Sequence, residues 1–177
     1  TTTYDGATTY ADLTSNSGFT SNALAPGEWI ASVTKTAGGA GVTSSGVAQA
    51  GTYTVTPSSA AMGAGSASNY SFSYAASSNT VDKANLTVTA AAASKNYDGQ
   101  AYSGGNGVSY AGWVGGESAA VLGGTLGYAG TAQGAVNAGT YAITPQGLSS
   151  NNYNITFADG VLTVNTLNWC TLRNSAL

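Results

Sequence analysis

The sequence predicts a mainly β protein: two tandem small antiparallel β domains, sandwich-like or β-grasp-like, each with at most one short helical turn. Three observations carry this expectation. A set of landmarks occurs twice in the same order, apolar residues alternate with polar ones in short runs, and 25 glycines in 177 residues punctuate those runs. Tyr4-Asp5-Gly6 returns as Tyr97-Asp98-Gly99, and Gly51-Thr52-Tyr53-Thr54-Val55-Thr56-Pro57 as Gly139-Thr140-Tyr141-Ala142-Ile143-Thr144-Pro145. Asn69-Tyr70 returns as Asn152-Tyr153, and Leu86-Thr87-Val88 as Leu162-Thr163-Val164. The spacing shrinks through 93, 88, 83 and 76 residues. Ordered landmarks with shrinking gaps mark one supersecondary unit duplicated, with loop residues lost from the second version. The reading is a longer, divergent first repeat over 1–90, a second repeat over 91–165, and a tail over 166–177 outside the pattern.

Taken in order, the strands declare themselves by period-two alternation. Tyr53 and Val55 alternate with Thr52, Thr54 and Thr56; Tyr70, Phe72 and Tyr74 alternate with Ser71 and Ser73. In the second repeat Tyr141 and Ile143 do the same, as do Tyr153, Ile155 and Phe157. Leu86/Val88 and Leu162/Val164 close the two repeats, and Val108/Tyr110 and Leu126/Tyr128 read as further short strands. Each strand shows one apolar face, so each sheet should have a buried side and a wet side. Asp-Gly at 5–6, 98–99 and 159–160 signals tight turns, because Gly accepts the positive φ that such turns need. Asn22–Trp29 and Glu117–Leu122 are the two stretches with helical character, at matching places in the repeats. A linker falls at Ala90–Lys95, and it is short, which makes the pair a stiff rod.

Composition narrows the function classes. Repeats of this size bury only roughly two thirds of their unfolded surface, so each is marginal alone and gains from neighbours. Charged residues are 6% of the chain, net charge is −3, and there are four Lys plus Arg. That is too little positive charge to neutralise a phosphate backbone, so no nucleic acid is expected. No His occurs, which removes the commonest general base and metal ligand. No apolar stretch approaches the roughly 18 residues of a helical membrane span. High Thr, Ser and Gly with few charges suits a secreted or surface-displayed segment. Before the second Tyr-Asp-Gly the chain supplies Leu86–Thr89 as a strand, whereas before the first stand three threonines. The first repeat is therefore read as a cut in a longer array with an open sheet edge.

Candidate chemistry is thin. Asp5 and Asp98 are read as turn residues before Gly, not as a catalytic pair. Asp12, Glu28, Asp82, Glu117 and Asp159 lack the spacing of a calcium loop, and no cofactor or metal is expected. Trp29 and Trp113 are candidates for glycan contact through exposed aromatic faces, with core packing as the alternative. The tail holds the only Arg (Arg173), the only Cys and a third Trp. Thr166, Leu167, Trp169, Cys170 and Leu172 are candidates for a strand donated to a neighbouring subunit by β-augmentation, with a disordered terminus or a cloning remnant as the alternative.

The second repeat carries Lys95-Asn96-Tyr97-Asp98-Gly99, Gly112-Trp113, Gly123-Gly124-Thr125-Leu126, Gly134-Ala135-Val136-Asn137-Ala138-Gly139-Thr140-Tyr141, Asn152-Tyr153-Asn154-Ile155 and Gly160-Val161-Leu162-Thr163-Val164. In this it resembles the MBG/YDG-type repeats of large bacterial surface adhesins and two-partner-secreted exoproteins. The resemblance implies non-catalytic stalk repeats at the bacterial surface, acting in display, adhesion or biofilm matrix. Partners would be neighbouring repeats, copies of the chain itself, or surface glycan. A glycan-binding module and a self-assembling filament subunit are the other readings.

Overall fold

The computed structural model describes residues 1–6, 19–42 and 49–168. Asp12, Trp169, Cys170 and Leu172 lie outside them. The protein is mainly β, with strands β1 (Thr2–Thr3), β2 (Trp29–Gly39), β3 (Gly51–Ala64), β4 (Ser77–Asp82), β5 (Ala84–Ala90), β6 (Ala93–Asn96), β7 (Val108–Ala111), β8 (Gly123–Ala129), β9 (Gly139–Ser149), β10 (Tyr153–Ala158) and β11 (Gly160–Asn165). Two single 3-10 turns, Ala67–Asn69 and Ala119–Val121, are the helical content of the described residues. Contacts divide the chain into two units. One comprises Thr1–Ala84, Val114–Ser118 and Asn151–Asn154; the other comprises Asn85–Trp113, Ala119–Ser150 and Ile155–Leu177.

Each unit has a four-stranded sheet of the same design. In the first the order is β1-β4-β3-β2, and in the second β6-β11-β9-β8. Neighbours within each are antiparallel except one pair. β1 runs parallel to β4, with Thr2 opposite Val81, and β6 runs parallel to β11, with Lys95 opposite Val164. The sheets are therefore mixed rather than purely antiparallel. The cause is topological: the strand before Tyr-Asp-Gly and the last strand of the repeat are joined by a long crossover, which parallel pairing requires.

The registers also correct one sequence landmark. Val164 faces Gly139 and Lys95, while Val81 faces Gly51 and Thr2. The structural counterpart of Leu162-Thr163-Val164 is thus Asn79-Thr80-Val81 in β4. Leu86-Thr87-Val88 lies in β5, in a separate sheet of order β10-β5-β7. Its likeness to β11 reflects a shared alternation, with Leu86 and Val88 buried in one strand and Leu162 and Val164 in the other, and not a shared place.

Other expectations also shift. Asn22–Trp29 is not helical. Pro26-Gly27 makes a tight turn closed by a bond from Glu28 N to Ala25 O, 3.0 Å. Gly27 has φ +84°, which suits the third position of a type II turn with Pro before it. Ala90–Lys95 is not a plain linker, since it contains most of β6. Tyr70 is extended, but residues 70–74 lie in no strand. β2 was invisible to period-two reading because its register against β3 shifts three times between Trp29 and Thr34, and each bulge resets the alternation.

The second unit's core joins Ala90, Ala132, Ala135, Ile143, Leu162 and Val164, with Ala93, Tyr102, Tyr128 and Tyr141 packed against it. Ile143 and Leu162, picked out by alternation, are fully buried. In the first unit Tyr53, Val55 and Val81 are the buried positions at the corresponding registers.

Candidate functional site

The most connected polar cluster grows from a four-residue turn that occurs twice. Ala25-Pro26-Gly27-Glu28 is matched by Val114-Gly115-Gly116-Glu117, where Glu117 N bonds to Val114 O at 3.0 Å. Gly116, like Gly27, has positive φ, +75°. The turn aims the Glu carboxylate at a tyrosine 42 or 36 residues further on: Tyr70 donates its hydroxyl to Glu28 Oε2, and Tyr153 donates to Glu117 Oε2. The first residue of each turn completes the clamp. Ala25 N donates to Tyr70 Oη at 2.9 Å, and Val114 N to Tyr153 Oη at 3.2 Å.

At Glu117 a second phenol arrives. Tyr4 donates to Glu117 Oε1 at 2.6 Å and meets Tyr153 edge to face, with ring centroids 5.9 Å apart at 84°. Tyr4, Val114–Ser118 and Asn151–Asn154 all belong to the first unit. The approach is close enough to require glycine: a Cβ on Gly6 would lie 2.6 Å from Gly115 Cα. Burial, and after it the bond to the Glu117 carboxylate, pushes the Tyr4 phenol up to about 12. The same two causes raise Tyr153, and the bond to Glu28 raises Tyr70. Neutral phenols donating to a carboxylate make a fastening.

Of the residues singled out by sequence, Glu28 and Glu117 hold the clamps, and Asp98 lies outside them. Asp98 pairs with Lys95 at 2.7 Å and accepts from Gln100 N at 2.9 Å. Lys95 chiefly, then the Gln100 amide, holds its carboxyl below the usual range. This is the chemistry of an Asx turn. Trp29 is 54% exposed, with its indole laid over Gly63. Trp113 is half-buried against Tyr110, ring centroids 5.3 Å apart. Trp29 belongs to the first unit and Trp113 to the second. Thr166 and Leu167 are exposed and irregular beyond β11. Among the described residues, no three acidic or thiol side chains gather as a metal site would need.

The first unit also holds a cavity of about 470 Å³, lined among others by Leu24, Ile30, Val55, Tyr70, Phe72 and Tyr74. Sequence reading missed both this cavity and the clamps. The available signal was the pairing of Gly-Glu at 27–28 and 116–117 with Asn-Tyr at 69–70 and 152–153.

A duplicated, mainly β unit fastened by Glu–Tyr clamps defines a class of repeat module. Residues 86–163 match the family model of the MBG domain (YGX type), from Leu86 in β5 to Thr163 in β11. Over that stretch the chain is similar to the MBG domain, a kind found in extracellular repeat proteins. Neither the curated proteins nor the solved structures yield a match to the chain. Among the described residues no helix is long and apolar enough to cross a membrane.

Proposed function

We propose that the chain is a non-catalytic, tension-bearing stalk segment of a secreted bacterial surface protein, serving display, adhesion or a biofilm matrix. The observation that supports this most is the parallel pairing of the entry and exit strands of the repeat. In the second repeat, 91–165, β6 enters and β11 leaves, in contact over Ala93–Asn96 and Leu162–Asn165, and Tyr97 N adds a bond to Asn165 O at 2.8 Å. Tension applied through the two ends of a parallel pair pulls the strands past each other. All the ladder bonds are then loaded together and cannot open one at a time. Such shear geometry resists force well beyond what a small core's equilibrium stability suggests, because forced rupture is governed by the unfolding barrier.

Pulling single chains by their termini tests this. A distinct force peak should accompany opening of the second unit, and Lys95→Pro, which removes an N–H on the side of β6 that faces β11, should lower it. A chain that extends without a peak would contradict the stalk reading. So would robust turnover of a polysaccharide or ester that Asp98→Ala abolishes.

A further inference from the structure

Asn-Gly occurs once in the chain, at Asn106-Gly107. The pair lies in the loop that leads into β7, and both residues are exposed. The loop is held on either side of the pair but not at the peptide that joins it. Upstream, Gly104 N donates to Gln133 Oε1 and Gln133 Nε2 donates to Gly104 O, each at 2.8 Å. Downstream, Ala91 N donates to Gly107 O at 2.9 Å. Between these ties, Gly107 N has no acceptor among the described residues. Gly107 has φ +91°, and a Cβ there would meet nothing within 4 Å. Its nitrogen is thus shielded neither by a side chain of its own nor by packed neighbours.

The Asn106 side chain has a structural task. Its Nδ2 donates to Ala92 O at 3.1 Å. Ala91 and Ala92 are the two residues between β5, which ends at Ala90, and β6, which begins at Ala93. The loop therefore touches the β5–β6 junction twice, through Ala91 N to Gly107 O and through Asn106 Nδ2 to Ala92 O. The second tie depends on a side-chain amide, a group that can be lost. It is a single bond at an exposed residue, so it opens at low cost. Once it opens, Asn106 Cγ can reach the Gly107 nitrogen, with which it closes a five-membered ring.

We propose that Asn106 is a site of spontaneous deamidation, and that its conversion unties the loop from the β5–β6 junction. Gly107 N gives up its proton and bonds to Asn106 Cγ. The Cγ–Nδ2 bond breaks, and Nδ2 leaves as ammonia with that proton. Solvent water then opens the cyclic imide. Attack at Cγ restores the ordinary backbone and leaves an aspartyl residue. Attack at the main-chain carbonyl carbon leaves Gly107 N joined through Cγ, an isoaspartyl residue with one more carbon in the main chain. Either product replaces the donor that faced Ala92 O by a carboxylate, and two acceptors cannot bond. Lys95, the cation nearest in sequence, is already paired with Asp98. The isoaspartyl form also lengthens the path into β7, whose Val108 pairs with Ala90. The reaction needs no load, so it stands or falls independently of the stalk reading.

The test is to age the full folded chain in heavy-oxygen water, at neutral and at mildly alkaline pH, and map its peptides by mass spectrometry. Position 106 should gain the mass of amide turned to acid with heavy oxygen built in. It should do so faster at the higher pH, because the attacking nitrogen must lose its proton. Conversion should be at least about tenfold faster than at Asn137, where the next residue, Ala138, carries the Cβ that Gly107 lacks. Enzymatic carboxyl methylation should detect isoaspartate alongside aspartate. Asn106→Gln, whose longer side chain needs a six-membered ring, should form no acid there over the same period. In the aged chain and in Asn106→Asp, amide hydrogen exchange at Ala91 should rise relative to fresh wild type. Exchange at Ala132, which donates to Ala142 O, should not change. Conversion at position 106 no faster than at Asn137, acid formed as fast in Asn106→Gln, or exchange at Ala91 that stays the same each overturns the proposal.

Discussion

Tyr4 shows how much one hydroxyl can hold. Its phenol is buried and donates to a carboxylate that also serves Tyr153. Removing that donor leaves Glu117 Oε1 poorly satisfied, so Tyr4→Phe should cost about 1 to 3 kcal/mol in urea unfolding. The pH dependence has a definite sign. An unfolded tyrosine ionises near about 10, whereas folded Tyr4 keeps its proton to about 12. Between those values the folded state binds more protons than the unfolded state. Its contribution is therefore full below about pH 10 and is lost towards about pH 12. In Tyr4→Phe that alkaline fall should be shallower, though not abolished, because Tyr153 is raised too. An identical alkaline profile would mean that Tyr4 does not fasten Glu117.

At the level of elements, alternation identified the buried faces of β9 and β11 but not that of 70–74, where Tyr74 is 43% exposed, and it identified pairing partners poorly. Ile143 is 0% exposed on the face that alternation assigns to the core, while Val161 is 50% exposed on the opposite face of β11. Ile143→Ala should thus cost about 2 to 5 kcal/mol, and Val161→Ala should stay within about 0.5 kcal/mol. Thermal unfolding of both variants checks this, and equal losses would reverse the face assignment. Tyr70–Tyr74 has the same alternation as Tyr153–Phe157, yet only the latter sits in a strand. Side-chain pattern says which way residues face, but a strand exists only where another backbone supplies its bonds. β2 was lost to its bulges, and β4, Ser77-Ser78-Asn79-Thr80-Val81-Asp82, has almost no apolar residue to announce it. The turns of the clamps were written as Gly-Glu, but their meaning needed a tyrosine brought back from 42 or 36 residues away. Nothing local signals such a bond.

For the molecule as a whole, the repeated landmarks were legible, because Tyr-Asp-Gly and Gly-Thr-Tyr recur at the same sheet registers in the two units. The parallel pairing of entry and exit strands was not legible, since register is a long-range property. That pairing is the centre of the functional reading, and the direction of pulling tests it most directly. Handles placed near Ala93 and Asn165 load β6 and β11 in shear. Handles near Gly139 and Val164 sit together at one end of the antiparallel β9–β11 ladder, whose other end is the pair Ile143 and Gly160. With that pair, rupture should begin at the pulled end and proceed bond by bond. The account predicts a markedly higher rupture force for the first handle pair than for the second. Equal forces in the two directions would contradict it.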